Sequence, residues 1–141
     1  MVAAAEYKLL LPLADPETEP YWEGAKQGKL MLQRCASCKT FRFPPTKVCA
    51  KCYSEESDWA PASGKGKLYA YITVYQPVLP QWREEAPYNI VQVELDELPG
   101  VRITGNMLKE DEGRMKVGMP VQVVFDHVTD EGDVIPRWRL A

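Results

Sequence analysis

The sequence predicts a mainly β protein: a short N-terminal helix, a cysteine-rich ribbon and a C-terminal barrel of five short strands. Three observations carry this reading. All four cysteines of the 141-residue chain lie in one stretch, CASCKTFRFPPTKVCAKC, residues 35 to 52. From Lys67 to Ala141, five runs rich in Val, Ile, Tyr and Thr are broken by Pro, Gly and acidic turns. Ahead of the cysteines, TEPYWEGAKQGK has the punctuation of a helix.

Residues 1–16 read as an extended, Pro-containing lead. In the helix, Thr18 is the expected N-cap, Glu19 and Pro20 fill the first turn, Lys26 the last, and Gly28 stops it. Trp22 and Ala25 fall on one face beside Tyr21, so aromatics are expected to pin this helix to a neighbour. KLMLQRC then enters the cysteine stretch as a strand, and KTFRFPPTKVC forms the hairpin inside it, with Phe41 and Phe43 on the same side by period two. SEESDWAPASGKG, small, acidic and turn-rich, reads as the linker out.

The five later runs are KLYAYITVYQP, YNIVQVELDE, VRITGNM, MPVQVVFDHV and VIPRWRL. Five short strands in this span suit a small, partly open barrel of the OB type, with a five-strand sandwich as the alternative. Gly105 falls within a strand-like run, where glycine often marks the sharp bend such a barrel needs. EDEGRMKVG reads as a loop or a single turn. The expected division is an extension and helix over 1–29, a ribbon over 30–60 and the OB-fold domain over 61–141.

The start, MVAAAEYKLLLPLADP, lacks a basic region ahead of its apolar residues, and Glu6 and Lys8 interrupt the run, so no signal peptide is expected. No apolar stretch approaches the roughly 18–20 residues of a membrane span. A cytoplasmic protein without membrane contact follows, and in that compartment thiols stay reduced. Metal is therefore the better use for Cys35, Cys38, Cys49 and Cys52. Two Cys-x-x-Cys pairs across a hairpin offer four soft thiolates on two tight turns, which suits one structural Zn(II) per chain, with iron in a four-sulfur site as the competitor. A module this small needs the metal to fold. Many such turns carry Gly after the second cysteine, where φ is positive, whereas this chain has Lys39 and Tyr53. The cost of roughly 1–2 kcal/mol each is small beside the roughly 10–16 kcal/mol a structural zinc supplies.

Catalytic groups are few, and no catalytic residue is assigned. All cysteines go to the metal, and a closed four-thiolate site lacks the open position that catalytic zinc uses. The one histidine, His127, stands at a predicted strand end, where a structural role is the commoner one. No Gly-x-Ser-x-Gly elbow, P-loop or dinucleotide fingerprint occurs. The sequence argues against an enzyme that works alone.

Seventeen basic against 20 acidic residues give a net charge of −3, which argues against nucleic acid as a partner. The distribution is uneven. Between Gly24 and Ser54 stand seven basic residues and no acidic one, among them Lys39, Arg42, Lys47 and Lys51. They either offset the formal −2 of a zinc tetrathiolate or form a patch for an anionic ligand such as a nucleotide-bearing cofactor. In PVLPQWREEAPY, Trp82 and Arg83 are candidates for a ligand or partner contact, since Trp is a common interface anchor. The other reading folds Trp82 back over the open barrel end.

The helix PYWEGAKQGKLMLQRC, the cysteine clip, the exit DWAPASGKGKLYAYITVYQP, the pair APYNIVQVELDELPGVRITGNM and the late VGMPVQVVF and IPRWRLA together resemble the DUF35 family. That resemblance covers Pro20 to about Arg139 and implies a rubredoxin-like zinc ribbon followed by an OB-fold. It also implies an accessory role beside thiolase-superfamily subunits, including lipid-transfer-protein-like aldolases that shorten steroid side chains by cleaving an acyl-CoA. The catalytic residues would then lie in the partner, and this chain would help line a coenzyme A thioester site in a hetero-oligomer. A free-standing acyl-CoA binder and a nucleic-acid-binding ribbon/OB module are the alternatives.

Overall fold

Two antiparallel sheets, joined by a tight turn at Ser63 and Gly64, organise the chain, and the computed structural model describes all residues 1–141. The first sheet holds β1 (Leu30–Cys35) between β2 (Phe41–Arg42) and β3 (Ser57–Ala62). The second is the five-stranded, curled sheet of an OB half-barrel, built from β4 (Lys65–Val74), β5 (Tyr88–Leu95), β6 (Arg102–Gly105), β7 (Pro120–His127) and β8 (Val134–Leu140). Its order is β6-β5-β4-β7-β8, and its five strands lie on the five runs expected.

Helix α1 spans Glu19–Lys26 and ends at Gly28, whose φ of 72° suits glycine. Thr18 holds the expected N-cap position but makes no side-chain cap bond to the helix, and Asp15 closes the turn ahead of it. Asp15 Oδ1 accepts the N–H groups of Glu17 and Thr18 at 2.9 and 2.8 Å, and Thr18 Oγ1 accepts the Asp15 N–H at 3.1 Å. This reciprocal pair fixes the turn that leads into the helix, starting three residues ahead of Thr18, with Pro16 directly after Asp15. The Thr18 N–H, then its hydroxyl, holds the Asp15 carboxyl below its ordinary range. Tyr21 anchors the helix as its aromatic pattern suggested. Its ring meets Trp22 edge-on and Phe43 at 5.5 Å, and burial pushes its hydroxyl up to about 12.

The stretch SDWAPA, expected in a linker, is strand β3. It pairs with β1 from Leu30 opposite Ala62 to Cys35 opposite Ser57. Ser, Ala and Pro hide a strand from propensity, yet at a sheet edge Pro61 gives up no ladder hydrogen bond that the fold needs.

The barrel closes where the chain after β6 meets β8. Trp138 N–H donates to the Asn106 carbonyl at 2.9 Å, and Leu108 N–H donates to the Trp138 carbonyl at 2.8 Å. Gly105 makes that closure possible, because a Cβ there would stand 3.2 Å from the Trp138 indole nitrogen. Buried Asn89 ties the seam: its Oδ1 accepts the Met107 N–H at 2.6 Å, and its Nδ2 donates to the Met107 carbonyl at 3.0 Å and to Glu112 at 2.8 Å. Lys109–Arg114 forms a short 3-10 turn, pinned through buried Asp111, which accepts the Leu140 N–H at 2.8 Å and faces the Arg114 guanidinium.

One apolar cluster runs through both sheets. Tyr21 from α1 and Leu30 and Leu32 from β1 pack with Leu68, Val93, Ile103 and fully buried Trp138 of the barrel. The N-terminal lead crosses the barrel as a strap. Val2 N–H donates to the Val128 carbonyl, Ala4 N–H to Glu131 at 2.7 Å, and Lys8 pairs with Glu84 at 3.0 Å.

Candidate metal centre and surrounding surface

Each Cys-x-x-Cys pair folds into the same turn. Cys35 N–H donates to the Thr40 carbonyl and Lys39 N–H to the Cys35 carbonyl; Cys49 N–H donates to the Ser54 carbonyl and Tyr53 N–H to the Cys49 carbonyl. The repeat forces the residue after each second cysteine into the left-handed region, with φ of 62° at Lys39 and 64° at Tyr53. These are the two positions where the sequence lacks the usual glycine.

The turns bring all four sulfurs together. Cys35 and Cys52 Sγ lie 3.5 Å apart, Cys38 and Cys49 Sγ 3.7 Å apart, and all four fall within 4.8 Å of one another. Four sulfurs at about 2.3 Å from one ion at tetrahedral corners stand roughly 3.8 Å apart, so the donor set fits tetrahedral zinc. The Thr40 hydroxyl, 3.1 Å from Cys38 Sγ, and then the Thr40 backbone bring the Cys38 thiol down to about 6. The Ser54 N–H favours the Cys52 thiolate, but the crowding sulfur of Cys35 outweighs it with burial, and Cys52 rises to about 11. Four thiolates this close need a cation between them.

Of the seven basic residues between Gly24 and Ser54, four are engaged. Arg34 forks onto Asp58 at 2.8 and 3.0 Å, Lys26 pairs with Glu23, and Lys47 with Glu17 at 3.5 Å. Arg42 donates to the Gln33 side chain at 2.6 Å and to the Thr46 carbonyl at 3.0 Å, so it holds the hairpin. Gln33 is the centre of that network. Nearly buried, it also accepts the Thr46 N–H at 2.8 Å and faces Ser57, a role no local pattern announces. Lys29, Lys39 and Lys51 are exposed and outside these pairs.

Trp82 sits in a 3-10 turn and packs on Tyr88 with ring centroids 4.6 Å apart. It forms one wall of a groove of about 290 Å³ under the N-terminal strap, facing Leu11, Trp22 and Ile135. Arg83 beside it is exposed, as is His127 at the end of β7. No helix is long and apolar enough to cross a membrane.

The candidate Trp82 stands at the end of a longer uncharged run that begins on β4. Residues 68–82, LYAYITVYQPVLPQW, contain no charged residue, yet eleven of the fifteen are exposed. In a chain that is 26% charged, fifteen residues without a charge were the available signal.

Two family models match end to end. Residues 22–58 match the ChsH2 rubredoxin-like zinc ribbon domain, and residues 59–126 match the ChsH2 C-terminal OB-fold domain. A DUF35 domain-containing scaffold protein of Methanocaldococcus jannaschii is 38% identical over 79% of this chain and 79% of its own. The chain belongs to the DUF35 family. This DUF35 protein is also 38% identical, over 92% of its length, to a probable enoyl-CoA hydratase alpha subunit of Thermomonospora curvata, but it spans only 39% of that relative. It is 28% identical, over 73% of its length and 67% of the relative's, to the benzoylsuccinyl-CoA thiolase subunit BbsA of Thauera aromatica. Among solved structures it is similar to a chain of the Ltp2-ChsH2(DUF35) aldolase. That match has 35% identity and a TM-score of 0.79, and it covers 92% of the DUF35 protein and 98% of that chain.

Proposed function

We propose that this DUF35 protein is a non-catalytic accessory subunit of a thiolase-superfamily enzyme and helps form its acyl-CoA site. One observation carries the reading: nearly the whole length of a chain named within an aldolase complex superposes on this one. The catalytic inventory supports it, since the single histidine is exposed and all four cysteines share one cluster. In this reading Cys35, Cys38, Cys49 and Cys52 hold one zinc that fixes the ribbon. Lys39 and Lys51, the ribbon cations outside the ion pairs described, are the groups that face CoA phosphates. Trp82 borders the groove beneath the strap, and Arg83, next to it in the chain, is exposed. The working division is extension and helix over 1–29, ribbon over 30–60 and OB-fold over 61–141, in a cytoplasmic hetero-oligomer.

A second reading has one observation in its favour. The relative named as a hydratase alpha subunit matches along 92% of this chain, so the partner would be a hydratase instead.

The test is co-purification of the tagged chain with the thiolase-like protein encoded nearest to it, with zinc analysis and acyl-CoA cleavage assays on the eluted peak. A stable complex with about one zinc per copy of this chain supports the accessory role. A zinc-loaded chain that elutes alone, and gains no complex with the thiolase-like protein, overturns it.

A further inference from the structure

The sheet edge at β4 is left open in a way the fold does not require. β7 pairs with β4 only over Lys65–Lys67, and the last bonds on that side are those of Leu68 with Met119 and Gly118. On its other side β4 stays paired with β5 to Val74 opposite Tyr88. The stretch Tyr69–Val74 therefore runs beyond its neighbour with one edge free.

Exposed edges are normally guarded by lysine, proline or an inward charge. Here none of these occurs between Leu68 and Gln76, and Tyr69–Thr73 are all exposed. Ile72 and Ile90 stand opposite each other and help form a shallow apolar dish of about 190 Å³ with Ala70 and Thr104. The arm beyond the strand continues the character, with Tyr75 73% and Val78 91% exposed.

Charge depletion with tyrosine enrichment marks the centre of protein interfaces. Six large side chains, Tyr69, Tyr71, Ile72, Tyr75, Val78 and Leu79, are bared here together. At roughly 150–250 Å² for a whole aromatic side chain, they offer a large part of the roughly 800 Å² that one partner contributes to a standard interface.

We propose that the free edge Tyr69–Val74, with the uncharged arm through Leu79, is the face that docks the thiolase-like partner subunit, which lays an extended apolar segment alongside β4. This rests on the accessory-subunit reading above and assigns its surface. Backbone hydrogen bonds along the edge would give strength, and the side chains either side of it would give selectivity. The strand edge and arm hold no charged residue, and the one guanidinium against them, Arg102 at 3.8 Å from the Tyr69 ring, is paired with Glu94 at 3.2 Å, so association should depend little on ionic strength, unlike docking through the ribbon lysines.

The experiment compares the wild-type chain with Ile72→Glu, Tyr75→Glu and, as a control, Lys51→Glu. Each is mixed with the thiolase-like protein encoded nearest to it, at low and high salt, and affinity is read by calorimetry. Both glutamate variants replace exposed side chains, and zinc content and circular dichroism check that they fold. The expected result is at least a tenfold loss of affinity for each of them, with Lys51→Glu unchanged and little salt dependence in the wild type. Wild-type binding with all variants equal overturns this face while leaving the accessory role standing. A wild-type chain with no affinity for the thiolase-like protein overturns both. Self-association abolished by Ile72→Glu overturns the heteromeric occupant and assigns the edge to a second copy.

Discussion

Replacing Tyr53 by glycine should make the protein more stable, although it deletes an aromatic side chain. Tyr53 holds φ at 64° and is 78% exposed, so its ring contributes little packing while its Cβ strains the turn. The left-handed conformation costs an L-residue about 1–2 kcal/mol, and the extra freedom of glycine in the unfolded chain returns about 0.5–1 kcal/mol. The net gain is about 0.5–1 kcal/mol for Tyr53→Gly, with a similar gain for Lys39→Gly at φ 62°. The two turns are separate, so the double variant should gain about 1–2 kcal/mol. That corresponds to a rise in Tm of about 3–8 °C for a chain of this size. Thermal and urea melts followed by circular dichroism in zinc-replete buffer measure it. Tyr53→Ala is the control, because it loses the ring but keeps the Cβ, and it should gain nothing. A double variant that melts at or below the wild-type temperature would refute the reasoning.

Cys49→Ser, or chelation, should unfold the ribbon and lower the barrel's Tm without erasing its β signal, because about 10–16 kcal/mol of metal binding is withdrawn; one zinc per chain and an unchanged melt would contradict this. Asn89→Ala should cost about 2–4 kcal/mol in urea unfolding, since it leaves the buried Met107 N–H and carbonyl without partners across the seam. As pH falls below about 4, the contribution of the Arg34–Asp58 pair should begin to fall away. The Arg34 hydrogen bonds hold the Asp58 carboxyl low in the folded state, so its stabilisation is present above the unfolded value and disappears as pH falls through the folded one. Asp58→Asn should therefore flatten the acid limb of the stability curve, and an identical limb would rule the pair out.

The parts of the fold written in local chemistry were readable. The two Cys-x-x-Cys turns and the five β-rich runs each follow from spacing or propensity within a few residues, whereas Gly105 stays in regular register with Val91 and answers to the Trp138 indole across the seam rather than to a bend. Even the left-handed backbone at Lys39 and Tyr53 could be anticipated, because the turn geometry demands it whatever residue stands there. β3 was missed because its identity comes from β1: Ser, Ala and Pro make a strand only when a six-residue partner is already in place. Thr18 stands at the N-cap as expected, but its side chain turns back to Asp15, a partner three residues upstream that the local pattern did not single out. At the surface, Arg42 and Lys47 counted as free cations until the fold supplied Gln33, the Thr46 carbonyl and Glu17. The bare edge of β4 depends on where β7 stops, which no window of sequence contains.

The apolar cluster shared by the two sheets limits how this protein can be rebuilt. Leu30 and Leu32 enter from the ribbon, while Leu68, Ile103 and Trp138 enter from the barrel, and they fill one space. A chimera that takes its ribbon from a distant relative would have to import side chains of matching volume at the two leucines. A loss of even one of them would open a cavity in that shared core, at about 2–5 kcal/mol for a leucine cut back to alanine. The same packing leaves no hinge between metal clip and barrel, so whatever binds one is held at a fixed angle to whatever binds the other.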